Sequence, residues 1–153
     1  MENEKLITIL NTLVEINNDR IEGYESAGKE TEDSDLKTLF AHCIETSKTC
    51  KASLVREVDI LGGTPTEGTK TTGKLYRVWM DFKSLVTGKD RKAILDSCAY
   101  GEEAAMETYV DILKDNFKTL TPEKKLLFQE QLLLIKVNYN QIIILKDELV
   151  PIN

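Results

Sequence analysis

Apolar residues at helical spacing constrain this chain more than any other feature of its sequence. They recur at three- and four-residue steps through four long segments, as a helix with one buried face requires. These segments run from about 3 to 28 (segment A), 35 to 61 (segment B), 90 to 116 (segment C) and 122 to 149 (segment D). No stretch between them requires a strand, so the pattern predicts an all-α fold.

Local signals mark where the predicted helices begin and end. Gly28 and the acidic stretch 30–35 are expected to end segment A, and Gly62-Gly63 to end segment B. Thr121-Pro122 supplies a capping hydroxyl and a first-turn proline, which begin segment D. We interpret the acidic stretch 30–35 as a cap on segment B, because no twelve-residue calcium loop follows it.

The connection between segments B and C is long, whereas the other two connections are short. Apolar spacing within it predicts a short extra helix over about 74–86, with Trp79 packed on the bundle. Gly63 and Gly68 have the spacing of a phosphate-binding loop, but Thr69 stands where the lysine belongs and no strand precedes it. Short, long, short connectivity predicts a ferritin-like four-helix bundle with one crossover, in which segments B and C run parallel.

Length and charge exclude several classes of protein. The 153 residues fit a single domain, 1–153, and the net charge of −6 argues against nucleic acid as a partner. The N-terminus has no signal-peptide pattern, and no apolar run is long enough to span a membrane. We therefore expect a cytoplasmic protein in which Cys43, Cys50 and Cys98 are reduced and buried.

Polar residues interrupt the apolar faces that should form the core. Seven-residue spacing from the apolar positions places these polar residues on the inward faces of the four segments: Asn17, Arg20, Glu57, Glu102, Gln131 and Asn138. One interpretation is an ion-paired layer, with Arg20 bound to Glu102 or to Glu57, because an unpaired buried charge is costly. The other is a carboxylate metal site built on Glu102 and neighbours such as Glu15, Glu22 or Glu45.

The single histidine argues against a standard di-iron site. Such a site needs a Glu-x-x-His motif on each of two helices. Leu39 stands three residues before His42, and segment D has no histidine. We interpret His42 as a partly exposed helix residue, and the sequence predicts no catalytic, cofactor-binding or metal-binding residue.

The sequence resembles an uncharacterised bacterial family of ferritin-like four-helix bundle proteins over nearly its whole length. The motifs that carry the resemblance are Leu10-Asn11 with Leu13, Asp19, Gly23-Tyr24, Leu61-Gly62-Gly63 with Pro65, Tyr76-Arg77 with Trp79, Tyr100-Gly101-Glu102-Glu103-Ala104, Tyr109 and the Gln131 region. Members of the family often have His in place of Tyr76, an acidic residue followed by Arg-Gly before the carboxylate pair, and His-Asp in place of Tyr139-Asn140. This sequence departs from the family at each of these points, and the resemblance implies that it lacks potential metal ligands there.

Two functions from different classes follow. The first is a non-enzymatic bundle, expected to be stress-related, that acts through self-association or partner binding. Segment D supports it, because its apolar residues cover more than one face, and we expect a homodimer with segment D at the interface. The alternative is a ferritin-like metal-binding protein with a degenerate carboxylate site.

Overall fold

The computed structural model of the chain describes residues 1–68 and 90–148. Four α-helices follow one another in these residues: α1 (Asn3–Glu30), α2 (Ser34–Ile60), α3 (Arg91–Asp115) and α4 (Pro122–Asp147). The described residues contain no strand, and the predicted all-α fold is confirmed. The expected short helix over 74–86, with Trp79, lies outside them.

The first two helices end where the sequence predicts. Gly62 takes a φ of 78°, and Gly62 N donates to Asp59 O over 3.0 Å, which closes α2. Helix α1 passes through Gly28 and ends at Glu30, the first residue of the acidic stretch. The chain leaves α1 at Thr31, whose backbone is extended and whose Oγ1 accepts a hydrogen bond from Asp33 N at 3.1 Å.

The acidic stretch 30–35 links the start of α2 to α3. The N-cap residue Asp33 makes no side-chain capping bond, and its carboxylate instead lies 2.9 Å from Nη1 of Arg91. Asp35 pairs with Nη2 of Arg91 at 2.7 Å and also accepts from Leu36 N. The expected side-chain cap is therefore not formed by Asp33, because its carboxylate binds the first residue of α3.

Ion pairs near the helix ends show the direction of each helix. Arg91 binds Asp33 and Asp35, so α2 and α3 begin at the same end of the bundle and run parallel. Lys124 at the start of α4 lies 2.9 Å from Glu57 near the end of α2, so these two helices run antiparallel. Helix α1 packs against α2 and α3, and α4 packs against α3 and α2. This is the predicted ferritin-like connectivity.

The first part of the crossover runs along α1. Asn11 donates to Thr64 O and accepts from Thr66 N, each at 3.0 Å, and Asn18 donates to Gly68 O at 2.9 Å. These side-chain bonds fix the loop on the outside of the bundle.

The core lies along the axis of the bundle and is apolar over most of its length. All four helices contribute to it, and the largest of its fully buried apolar residues include Tyr24, Phe40, Tyr109 and Phe128. Cys43, Cys50 and Cys98 are buried free thiols, as predicted. None of the four helices is long and apolar enough to cross a membrane, among the residues the structure describes.

Candidate functional site

A layer of buried polar side chains crosses the middle of the bundle. We call it the polar layer and define it by residues from three helices and one backbone carbonyl of the fourth: Asn17, Arg20, Glu102, Tyr109, Gln131 and Cys50 O. The five side chains are at most a few per cent exposed. Each occupies a position that heptad spacing turns toward the bundle axis.

Arg20 and Glu102 form the ion pair at one side of the polar layer. Nε of Arg20 lies 2.7 Å from Oε1 of Glu102, and Nη2 lies 3.0 Å from Oε2, so the pair is bidentate. Nη1 of Arg20 donates to Oδ1 of Asn17 at 3.1 Å. Both charged side chains are fully buried, so each depends on the other for the solvation that water would otherwise provide.

A chain of hydrogen bonds links this ion pair to the remaining helices. Asn17 Nδ2 donates to Leu13 O and to the hydroxyl of Tyr109, each at 2.9 Å. The Tyr109 hydroxyl donates to Gln131 Oε1 at 2.7 Å, and Gln131 Nε2 donates to Cys50 O at 3.1 Å. The polar layer therefore connects α1, α3, α4 and α2 through paired groups, which rigidifies such a network.

Burial controls the protonation of the groups around the polar layer. Burial alone would lower the pKa of Arg20, but the carboxylate of Glu102 outweighs it and raises that pKa above its ordinary value. Burial raises the pKa of the Tyr109 hydroxyl, which stays a neutral hydrogen-bond donor. Burial, followed by the charge of Glu102, raises the pKa of the Cys43 thiol to about 12. The nearby side chains are therefore poor nucleophiles at neutral pH.

The donor set does not fit a di-metal centre. Both carboxylate oxygens of Glu102 bind the guanidinium of Arg20, which places a permanent positive charge at the position a cation would need. The described residues hold no group of three or more His, Cys, Asp or Glu side chains arranged to bind a metal ion. The arrangement suits an internal support of the bundle better than metal chemistry.

Of the residues that the sequence places near Glu102, the structure brings one to it and places the others elsewhere. It confirms the pairing of Arg20 with Glu102, whereas the alternative partner Glu57 lies at the end of α2 against Lys124. Of the three possible neighbours of Glu102 in a metal site, Glu15 is half-buried, and Glu22 and Glu45 lie on the surface. His42 is exposed.

One member of the polar layer and one neighbouring polar residue differ from what the sequence predicts. Tyr109 is not among the polar residues predicted to face inward, yet its hydroxyl links Asn17 to Gln131. Its position seven residues after Glu102 is a signal that it faces the same layer. Asn138 is buried as expected, but its Nδ2 has no hydrogen-bond partner among the described residues and it lies outside the network.

A second feature lies on the outside of the bundle. Five large apolar side chains of α4 are between 43% and 61% exposed, and we call them the outer α4 face: Leu126, Leu133, Leu134, Val137 and Ile144. Four of them, all except Leu134, fall within about 40° of one another around the helix at 3.6 residues per turn. They lie along one line of the helix surface, with Glu130 and Asn140 between them, opposite the side of α4 that carries Phe128 and Ile135 into the core.

Four helices with short, long, short connections define this protein as a ferritin-like four-helix bundle. Residues 5–115 match a domain of unknown function, DUF2383, and the chain belongs to this family. A crystal structure described as ferritin-like, diiron-carboxylate proteins from Bacillus anthracis str. Ames is similar in fold, with a TM-score of 0.73. The match covers 95% of this chain and 99% of that chain at 15% sequence identity. No curated protein matches the sequence.

Proposed function

We propose that this protein is a non-enzymatic helical bundle that acts through self-association, with the outer α4 face at the interface. The observation that carries the proposal is the exposed apolar stripe of α4. Exposed apolar side chains grouped on one face are typical of interaction sites, and patches on the order of a few hundred Å² mark such sites on folded proteins. Burying it in a second copy would remove that surface from water at roughly 25 cal/mol per Å².

The polar layer supports a structural role for the interior. Arg20 binds Glu102 and Asn17, and the amides and hydroxyl of the layer are otherwise bound to one another or to backbone carbonyls. An active site needs a group that can reach a substrate, whereas these side chains are almost fully buried and occupied by their neighbours. The surface therefore offers more for function than the interior does.

A pair of matched valine substitutions tests the proposal. Val137 lies on the outer α4 face and is 46% exposed, while Val110 lies on α3 and is 47% exposed. Val137→Glu should convert a dimer into a monomer, because two buried carboxylates would lack partners. Val110→Glu should leave the dimer intact, since it introduces the same charge at equal exposure outside the interface.

Size-exclusion chromatography with light scattering measures the outcome at micromolar concentration. Equal masses for the two variants would contradict a role for the outer α4 face, and a monomeric unsubstituted protein would contradict self-association. Circular dichroism spectra of both variants check that the helices remain folded.

Cellular location and a stress-related role stay predictions. The three cysteines are free thiols, a state typical of reducing compartments. Fractionation of cells that express the protein tests the expected cytoplasmic location. Survival of a strain lacking the gene, compared under oxidative and osmotic challenge, tests the stress-related role.

A further inference from the structure

The outer α4 face has the spacing of a coiled-coil seam. Its centre line continues through two polar residues, so that the full seam alternates steps of four and three residues: Leu126, Glu130, Leu133, Val137, Asn140 and Ile144. This is the spacing of the two inward positions of a heptad repeat. The seam extends over about 27 Å of helix at 1.5 Å per residue.

The order of apolar and polar positions along the seam is the same in both directions. Its members pair about the level of Ile135: Leu126 with Ile144, Glu130 with Asn140, and Leu133 with Val137. Two copies of α4 laid antiparallel at this level would place each member opposite its counterpart. A surface that is complementary to itself in this way is what a two-fold symmetric dimer requires.

We propose that α4 pairs with α4 of a second copy as an antiparallel coiled coil centred at the level of Ile135. This inference rests on the proposed self-association and specifies its geometry. The two paired helices form four apolar layers and two layers in which Glu130 of one copy faces Asn140 of the other. Leu134 of both copies lies beside the two-fold axis and covers one side of the seam.

The polar residues of the seam favour the antiparallel orientation. A parallel pair in the same register would place Glu130 opposite Glu130, and like charges at inward positions are unfavourable. In the antiparallel pair the Asn140 amide can donate to the Glu130 carboxylate instead. A polar residue inside a seam fixes register in this manner, at some cost in stability.

The charges beside the seam argue for a second copy rather than a lipid surface. Helices that lie on anionic membranes carry Lys and Arg along the border of their apolar face. The exposed charged residues that border this seam are mostly acidic: Glu123, Lys136, Asp147 and Glu148. Anionic lipid headgroups would repel such a border.

Cysteine cross-linking tests the orientation directly. The three native cysteines are buried, so an introduced surface cysteine is the reactive site among the described residues. Leu126→Cys should not cross-link to itself with a short bis-maleimide, because the two copies of residue 126 lie at opposite ends of the seam. Mixed with Ile144→Cys after subunit exchange, it should cross-link, and Tyr100→Cys on α3 serves as the exposed control that should not.

Failure of the orientation and failure of self-association give different results. Cross-linking of Leu126→Cys to itself would overturn the antiparallel seam while leaving a dimer through α4. A dimeric mass without any cross-link at 126 or 144 would overturn the seam and move the interface elsewhere. A monomeric mass in light scattering would overturn the proposed function itself.

A charge substitution gives a second, independent readout. Asn140→Lys places a lysine opposite Glu130 in the antiparallel pair, which should lower the dimer dissociation constant roughly two- to fivefold. In a parallel pair the same change places lysine opposite lysine and raises the dissociation constant. The sign of the change therefore decides the orientation, and a rise would overturn the antiparallel seam.

Discussion

Removing the charge of Glu102 should destabilise this bundle more than any comparable change at its surface. Glu102→Gln keeps the size of the side chain but leaves the fully buried guanidinium of Arg20 without its counter-ion. Breaking a buried ion pair from one side costs about 3–5 kcal/mol. A domain of this size has a free energy of unfolding of roughly 5–15 kcal/mol, so the variant loses a large share of it.

Urea denaturation followed by circular dichroism measures the loss. In thermal unfolding, the same loss lowers the midpoint temperature by roughly 6–20 °C, at about 2–4 °C per kcal/mol for a domain of this size. Glu45→Gln is the matched control, because Glu45 forms an exposed pair with Lys48 at 3.8 Å. Its effect should stay within about 0.5 kcal/mol, as is usual for surface pairs.

The double substitution Arg20→Met with Glu102→Met completes the test. With both charges removed, the desolvation cost disappears, and replacing a buried pair by apolar residues is often neutral or stabilising. The double variant should therefore be more stable than Glu102→Gln alone. A Glu102→Gln effect under about 1 kcal/mol, or a double variant less stable than the single one, would refute the reasoning.

Two further predictions concern the surroundings of this pair. Tyr109→Phe removes the hydroxyl that joins Asn17 to Gln131, so it should cost about 1–3 kcal/mol in urea denaturation, and an unchanged midpoint would contradict the hydrogen-bond chain. Folding raises the pKa of the Cys43 thiol from an ordinary 9.0 to about 12. The neutral thiol therefore makes its full contribution to the free energy of unfolding below pH 9, and this contribution is lost as the pH rises toward 12. Native protein at pH 8 should react slowly with a thiol reagent at all three buried cysteines and rapidly after unfolding, and fast native labelling would oppose this.

Much of the fold follows from local patterns in the sequence. Helical spacing located four helices, and the long connection after Gly62-Gly63 allowed α2 and α3 to run parallel. The acidic stretch marked the end of α1 at Glu30, two residues after Gly28, because a glycine tolerates helical geometry as well as the turn that ends it. Arg91 lies far along the chain from Asp33 and Asp35, and the three meet only because the parallel helices begin at the same end.

The polar layer could be predicted in its charges and less well in its hydrogen bonds. Heptad spacing placed Arg20 and Glu102 on inward faces, and the cost of a buried charge required that they find partners. Spacing alone could not choose between Glu102 and Glu57 as the partner of Arg20, because that choice depends on the relative positions of the helices along the bundle axis. The bond from Gln131 to Cys50 O was also hidden, because a backbone carbonyl carries no sequence signal.

The outer α4 face was predicted as an excess of apolar residues rather than as a set of positions. Segment D has too many apolar residues for one buried face, and burial in the bundle separates those that the core uses from those that remain exposed. Ile135 and Ile142 are in the core, while Leu133 and Ile144 remain exposed. The seam becomes visible only after that separation.

The mass of the unsubstituted protein in solution tests the central claim most directly. Sedimentation equilibrium at micromolar concentration should give about twice the chain mass of 17.3 kDa, because the proposal has a second copy covering the outer α4 face. The apparent mass should fall toward that of one chain on dilution. A mass of 17.3 kDa at every concentration would contradict self-association as the function of this bundle.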